Sequence, residues 1–304
     1  MSKKFFLVSS ILFLVSILSL GVYVWLWEVR PHVLEVNVST VDTSIIIFIR
    51  TPENHTILID GGKTNAVMRT LTSLMPFYRR NIDSVILTKN DDAHAAGLVE
   101  VLGRYHVGQV IEMTALEQSQ GSTTSAAYIE LMKIALQKKV PVRQVIQGDQ
   151  ISFESGINGE VNADILFPPE STTTSKFKFS KTNVPQLALS IHYGETSFVV
   201  SDLSKTEQKY VVASTATSTS TGQVALIYQH GGSANAVYEN FFNMVHPEYV
   251  VIAKKPSLPL SVAAVKKSKK TVFNIGEVAG VSVVNLFEKG NQHFISDGKK
   301  IFLK

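Results

Sequence analysis

The chain has 304 residues, 45% of them hydrophobic, which is ample for a large globular core. Its formal charge is +4, and once Lys3, Lys4, Glu28 and Arg30 are set aside the remainder balances to within two charges, so global charge does not argue for nucleic acid. With no cysteines, disulfides, cysteine–zinc sites and a cysteine nucleophile are all excluded.

Phe5 to Trp27 is a run of 23 uncharged positions rich in Leu, Val, Ile and Phe, longer than the roughly 20 residues that cross a bilayer. Lys3 and Lys4 precede it, and Trp25 and Trp27 stand at its far end, where interfacial aromatics belong. The positive-inside rule then places the N-terminus in the cytoplasm and everything beyond about Glu28 outside. A cleaved signal peptide is the competing reading, but Leu20-Gly21-Val22-Tyr23-Val24-Trp25 offers no good small-x-small site. The expected organisation is an uncleaved single-pass anchor in residues 1–30, spanning about 5–27, and one extracytoplasmic domain over 31–304.

Short β-like runs follow. Val33 to Val38 alternates as a half-buried strand does, and Ser44-Ile45-Ile46-Ile47-Phe48-Ile49-Arg50 reads as a strand buried on both faces. Thr51 to Asn54 forms a turn, Thr56 to Ile59 the returning strand, and Asp60-Gly61-Gly62 ends it. Residues 64–79 carry a helical pattern through Val67, Leu71, Leu74 and Met75. Val85-Ile86-Leu87 is the next buried strand, followed by the loop Thr88-Lys89-Asn90-Asp91-Asp92-Ala93-His94. A helix over 97–102, a strand over 108–112 and an amphipathic helix over 123–138 come next. Leu187 to Tyr193 and Thr196 to Val200 make a hairpin across Gly194-Glu195, with Asp202 close behind. Val224 to Tyr228 leads into Gln229-His230-Gly231-Gly232-Ser233, and Tyr249 to Ile252 is a late strand. The stretches 171–175 and 214–221 have the Ser/Thr composition of surface loops and do not divide the domain. The fold class is α/β (α+β): two mixed sheets with helices outside.

Four polar groups fall just after apolar strands: Asp60, the Asp91/Asp92/His94 loop, Asp202 and His230. Loops converging on one sheet edge are where a metal or substrate site is built, and His with carboxylates suits zinc or manganese. Taken singly, each Asp is more often a turn former or cap and each His an ordinary residue. Lys254 to Lys270 holds Lys254, Lys255, Lys266, Lys267, Lys269 and Lys270 with no acid, a patch able to track phosphates. A solvated loop and helix end is the plainer reading.

The order of these motifs resembles the metallo-β-lactamase-like domain of the ComEC family of DNA-uptake (competence) proteins. Ser39-Thr40-Val41-Asp42 stands at that family's Gly-Gln-Gly-Asp. Ile49-Arg50-Thr51-Pro52, Leu58-Ile59-Asp60-Gly61-Gly62 and Pro76 to Asp83 match the segments leading to its histidine loop. Ala163 to Pro169, then Asn183, Leu187 and Leu189, then Ser201-Asp202-Leu203 follow in family order. Gln229 to Ser233 is similar to its His-His-Gly-Ser, and Asp297-Gly298 fits the closing hairpin. The resemblance spans about residues 33–304 and implies an αββα sandwich.

The resemblance also implies a metal-assisted attack of water on a phosphodiester, but most of the ligands differ. Lys89 stands at the first His of His-x-His-x-Asp-His, Asp91 at the second and Ala93 at the Asp, and only His94 matches. Asp91, His94, Asp202 and His230 remain as candidate ligands for zinc or manganese. A protonated lysine is a poor ligand and alanine is none. Lys89 is expected to pair with Asp91, Asp92 or Asp202 in place of a metal charge. The implied function is a degenerate, membrane-anchored relative assisting DNA binding or uptake. The alternatives are an active metal-dependent phosphodiesterase or nuclease, and a structural partner of a separate multi-span channel.

Overall fold

The computed structural model describes the chain except residues 1–2, 29–31, 43, 115–124, 157–158, 170–185, 215–221, 229–237 and 254–279. Two compact units result, residues 1–32 and 33–304. The first holds one helix, α1 (Lys3–Glu28). Its described side chains, residues 9–23, are all exposed. Among the described residues no helix is long and apolar enough to cross a membrane, so the span expected over 5–27 is unsupported by the structure.

The second unit contains two sheets. The first opens with an antiparallel meander, β1 (Leu34–Val41), β2 (Ser44–Arg50) and β3 (Thr56–Ile59). It turns parallel through β4 (Asn81–Leu87), β5 (His106–Met113) and β6 (Val142–Val145), joined by α2 (Val67–Leu74), α3 (Asp92–Arg104) and α4 (Ala126–Gln137). The second sheet follows the same plan. Its antiparallel β7 (Gln150–Gly156), β8 (Gly159–Phe167), β9 (Ala188–Tyr193) and β10 (Thr196–Ser201) lead to parallel β11 (Val224–Tyr228), β12 (Tyr249–Ile252) and β13 (Ser282–Asn285). Helices α5 (Lys205–Ser214) and α6 (Glu239–Val245) lie in its crossovers. After the short α7 (Leu286–Lys289), β14 (Gln292–Ser296) pairs with β1, and β15 (Ile301–Leu303) closes the first sheet.

Alternation along the strands sets the layers. Ile47, Ile59, Ile86 and Ile111 meet Leu189, Phe198, Ile227 and Val251 in the core between the sheets. Their neighbours Phe48, Leu58, Val85 and Val110 face Leu71, Leu98 and Leu131 of the first three crossover helices. Val199, Leu226 and Val250 face Val211 and Phe241 on the far side. These layers form the αββα sandwich that the resemblance implies.

Local chemistry sets the boundaries. The helix expected over 64–79 is only Val67–Leu74, because Met75 precedes Pro76 and is extended (φ −114°, ψ 141°), as sterics require before proline. The helix expected over 97–102 begins earlier, at Asp92, because the Asp91 side chain accepts the His94 amide and caps it. His94 therefore sits in a helical first turn.

Candidate functional site

The C-terminal ends of β3, β4 and β10 meet at one end of the sandwich, where open parallel sheets place their sites. Asp60 is fully buried there, in a left-handed conformation (φ 60°). Its carboxylate accepts the Thr88 amide at 2.9 Å and the Thr88 hydroxyl at 2.6 Å, tying the two strand ends together. Gly61 donates its amide to the His94 carbonyl, and Gly62 accepts the Gly97 amide, both at 2.9 Å. The approach is so close that a Cβ on Gly97 would lie 1.9 Å from the Gly61 oxygen. α3 thus rests directly on the Asp60-Gly61-Gly62 turn. Asp42 lies outside the cluster, exposed, and accepts the Thr64 hydroxyl at 2.7 Å.

Asp91 is the centre of the site. One carboxylate oxygen is 2.5 Å from His94 Nδ1, and the other is 3.5 Å from the Lys89 ammonium. Burial pushes Asp91 up, but the hydrogen bond and charge of His94 and the charge of Lys89 hold its carboxyl below the usual range. Burial likewise pushes His94 down. The carboxylates of Asp60, Asp91 and Asp202 outweigh it and leave the imidazole raised above its ordinary value. Asp202 is buried at the end of β10, within electrostatic reach of His94, Tyr228 and Glu207.

Glu207 is a site residue that the sequence reading missed. It is 1% exposed, and its carboxylate accepts the Ser204 amide at 2.6 Å. Burial and Asp202 raise it, while the Ser204 bond and the Lys89 charge lower it, and the net shift is upward. The sequence signal was Ser204-x-x-Glu207, a capping-box pattern before a helix. Gln186 was also missed. It bridges to Lys89, and the neighbouring Leu187 amide donates to the Thr88 carbonyl. The buried Asn90 Oδ1 and Gln186 Oε1 have no hydrogen-bond partner among the described residues.

Asp92 does not join the cluster. Its Oδ1 accepts the Ser125 hydroxyl and the Ala127 amide, serving the start of α4. His230 and the six lysines Lys254, Lys255, Lys266, Lys267, Lys269 and Lys270 lie outside the described residues, as does Asn183.

A second polar row crosses the outer face of the second sheet. His192 Nδ1 is 2.9 Å from the Ser197 hydroxyl, and His192 Nε2 is 3.1 Å from Asp164. The residue types are those of a nucleophilic triad, but the burial is reversed. Ser197 is 2% exposed, whereas the Asp164 side chain is 48% exposed. A substrate carbonyl cannot reach that hydroxyl, and the row is structural.

The donor chemistry does not fit a hydrolytic metal centre. One Asp91 oxygen faces the Lys89 ammonium and the other His94 Nδ1, and that ammonium stands where the resemblance implies an imidazole ligand. Among the described residues no three His, Asp or Glu side chains are grouped to hold a metal ion.

The chain is similar to the metallo-β-lactamase fold protein YhfI from Bacillus subtilis, at 13% identity and TM-score 0.46, over 90% of this chain and 100% of that one. It is also similar to CmlA, a diiron β-hydroxylase from Streptomyces venezuelae, at 16% identity and TM-score 0.41 over 71% of this chain, and spans 44% of that chain. Zinc-bound PqqB from Methylobacterium extorquens gives 10% identity and TM-score 0.39, over 64% and 72% of the two chains. No family model and no curated protein matches. Likeness at this level carries no activity, metal or substrate across to this chain.

Proposed function

We propose that this chain is a single-pass membrane protein whose extracytoplasmic domain is a metallo-β-lactamase-like fold of ComEC type that has lost hydrolysis. In this reading it works by binding, to DNA or to a membrane channel partner at the cell surface. One observation carries the loss of hydrolysis: the Lys89 ammonium lies 3.5 Å from Asp91, at a position where the resemblance implies an imidazole ligand. The anchor reading rests on the 23 uncharged positions from Phe5 to Trp27, which a helix would present on every face. A helix apolar on every face is one that sits in a core or a bilayer.

The site's charge bears on the ligand. Asp60, Asp91, Asp202 and Glu207, with the buried side-chain carbonyls of Asn90 and Gln186, make it acceptor-rich around Lys89 and His94. A DNA phosphate would be repelled there, so DNA contact in this reading falls to the lysines of 254–270.

An active metal-dependent phosphodiesterase remains the second reading, favoured by the convergence of Asp91, His94 and Asp202. Metal analysis of the purified full-length protein, with a nuclease assay in manganese, separates the two. The expected result is less than one tight ion per chain and no cleavage. Stoichiometric zinc or manganese that disappears in His94→Ala or Asp202→Ala would put the hydrolase first. Co-purification of a multi-span protein identifies the channel partner.

A further inference from the structure

The opposite end of the first sheet carries an unusual loop. Pro76 to Arg79 forms a tight turn, with the Arg79 amide donating to the Pro76 carbonyl at 2.9 Å. Phe77 and Tyr78 project from it, 86% and 76% exposed, with ring centroids 5.4 Å apart edge to face. Two such aromatics side by side in water are costly without a partner. Arg79 and Arg80 follow at once. Arg79 donates to the Asn54 carbonyl of the β2–β3 turn, and the Arg80 carbonyl accepts the His106 amide. The end is basic. Lys138 bonds the last carbonyls of α3, with Lys139 exposed beside it. Among the acids, Glu35 and Glu100 are paired with Arg50 and Arg104, Glu154 is buried, and Glu53 is exposed.

The register fixes which end this is. Glu35 pairs with Arg50, Arg50 with Thr56, Ile57 with Ser84 and Asn81 with His106. The loop therefore lies at the end where β1 begins, and only residues 29–33 separate β1 from α1.

We propose that the Pro76–Asn81 loop docks on an anionic lipid surface. Phe77 and Tyr78 enter the headgroup layer, and Arg79 and Arg80 meet lipid phosphates, on the outer leaflet of the membrane that α1 anchors. The proposal rests on the anchor reading above. Adjacent aromatic and arginine side chains are the pair that suits a membrane interface, the rings partitioning to the headgroup level and the guanidinium groups to phosphate.

The chain's lack of cysteine makes the test direct. An environment-sensitive fluorophore is placed on the full-length protein through Pro76→Cys, through Lys63→Cys at the other end of the sheet, or through Ile17→Cys in α1. Each is reconstituted in nanodiscs of phosphatidylglycerol and phosphatidylcholine carrying spin-labelled lipid. The Ile17→Cys label should be quenched by deep spin labels and the Pro76→Cys label by headgroup-level ones, with the Lys63→Cys label spared. Adding Phe77→Ser and Tyr78→Ser should bring the Pro76→Cys signal to the Lys63→Cys level with an unchanged unfolding midpoint. Omitting phosphatidylglycerol should lower it at least about twofold. A quenched Ile17→Cys label with a Pro76→Cys label no more quenched than Lys63→Cys would overturn the docking and leave the anchor standing. An unquenched Ile17→Cys label would overturn both. Protection of the Pro76→Cys label by a single-stranded oligonucleotide, without lipid quenching, would assign the loop to nucleic acid and also overturn it.

Discussion

Replacing Lys89 with alanine tests whether an ammonium has taken over the structural part of a metal's work. At 3.5 Å the Lys89–Asp91 pair attracts by about 5 kcal/mol at an effective dielectric near 20, before desolvation is subtracted. Breaking a fully buried pair costs about 3–5 kcal/mol and an exposed one about 0–1. The side chains are 17% and 30% exposed, and Asp91 keeps His94 at 2.5 Å, so the loss lies between those limits. We expect Lys89→Ala to cost about 2 kcal/mol, or about 4–8 °C in Tm for a domain of this size. The assay is thermal or urea unfolding of the full-length protein in chelator, with Lys299→Ala as the exposed control. The control should stay within about 0.5 kcal/mol of the parent. An unchanged midpoint for Lys89→Ala would refute the substitution and leave Lys89 a bystander at a decayed loop.

Other expectations follow from the same geometry. Glu112 is 2% exposed, and burial raises it despite hydrogen bonds from Tyr128 and Gln144. The folded state thus holds the Glu112 proton more tightly than the unfolded state does. Its contribution is full below the ordinary value of 4.5 and is lost as pH rises through the folded value, so Glu112→Gln should flatten that part of a stability–pH profile and raise the midpoint at pH 7. Gly97→Ala forces a methyl into the Gly61 carbonyl and should cost about 3 kcal/mol or more, read by urea unfolding. Asp92→Ala should cost about 1 kcal/mol through the start of α4 and leave metal content unchanged, which metal analysis checks.

The sequence showed the sheets more clearly than the helices, for identifiable reasons. Ile45–Ile49 and Val224–Tyr228 are apolar throughout because both their faces are covered, and runs of that kind are hard to mistake. α5 went unread because its buried face includes Glu207 and Gln208, which break the apolar period. Gln208 is held there by the Tyr238 amide, the Leu203 carbonyl and the Tyr228 hydroxyl. α6 is too short, at seven residues, to establish a period. At the site, proximity in sequence misled for Asp92 and was silent about Glu207. Asp92 is one residue from Asp91, but the helix that Asp91 caps turns it toward α4. Glu207 comes within reach of Lys89 only because the second sheet delivers α5 to the same end. The pairing expected for Lys89 was left open among three acids, and the structure selects Asp91.

That selection bears on how the loop stays ordered. A metal centre holds its loop by pulling several ligands toward one dication. Here the loop is held from three sides by groups that need no ion. Asp60 clamps Thr88, Asp91 caps α3 and grips His94, and Gly61 and Gly97 bring the helix onto the turn. None of these contacts depends on the side chain of Lys89 or Ala93.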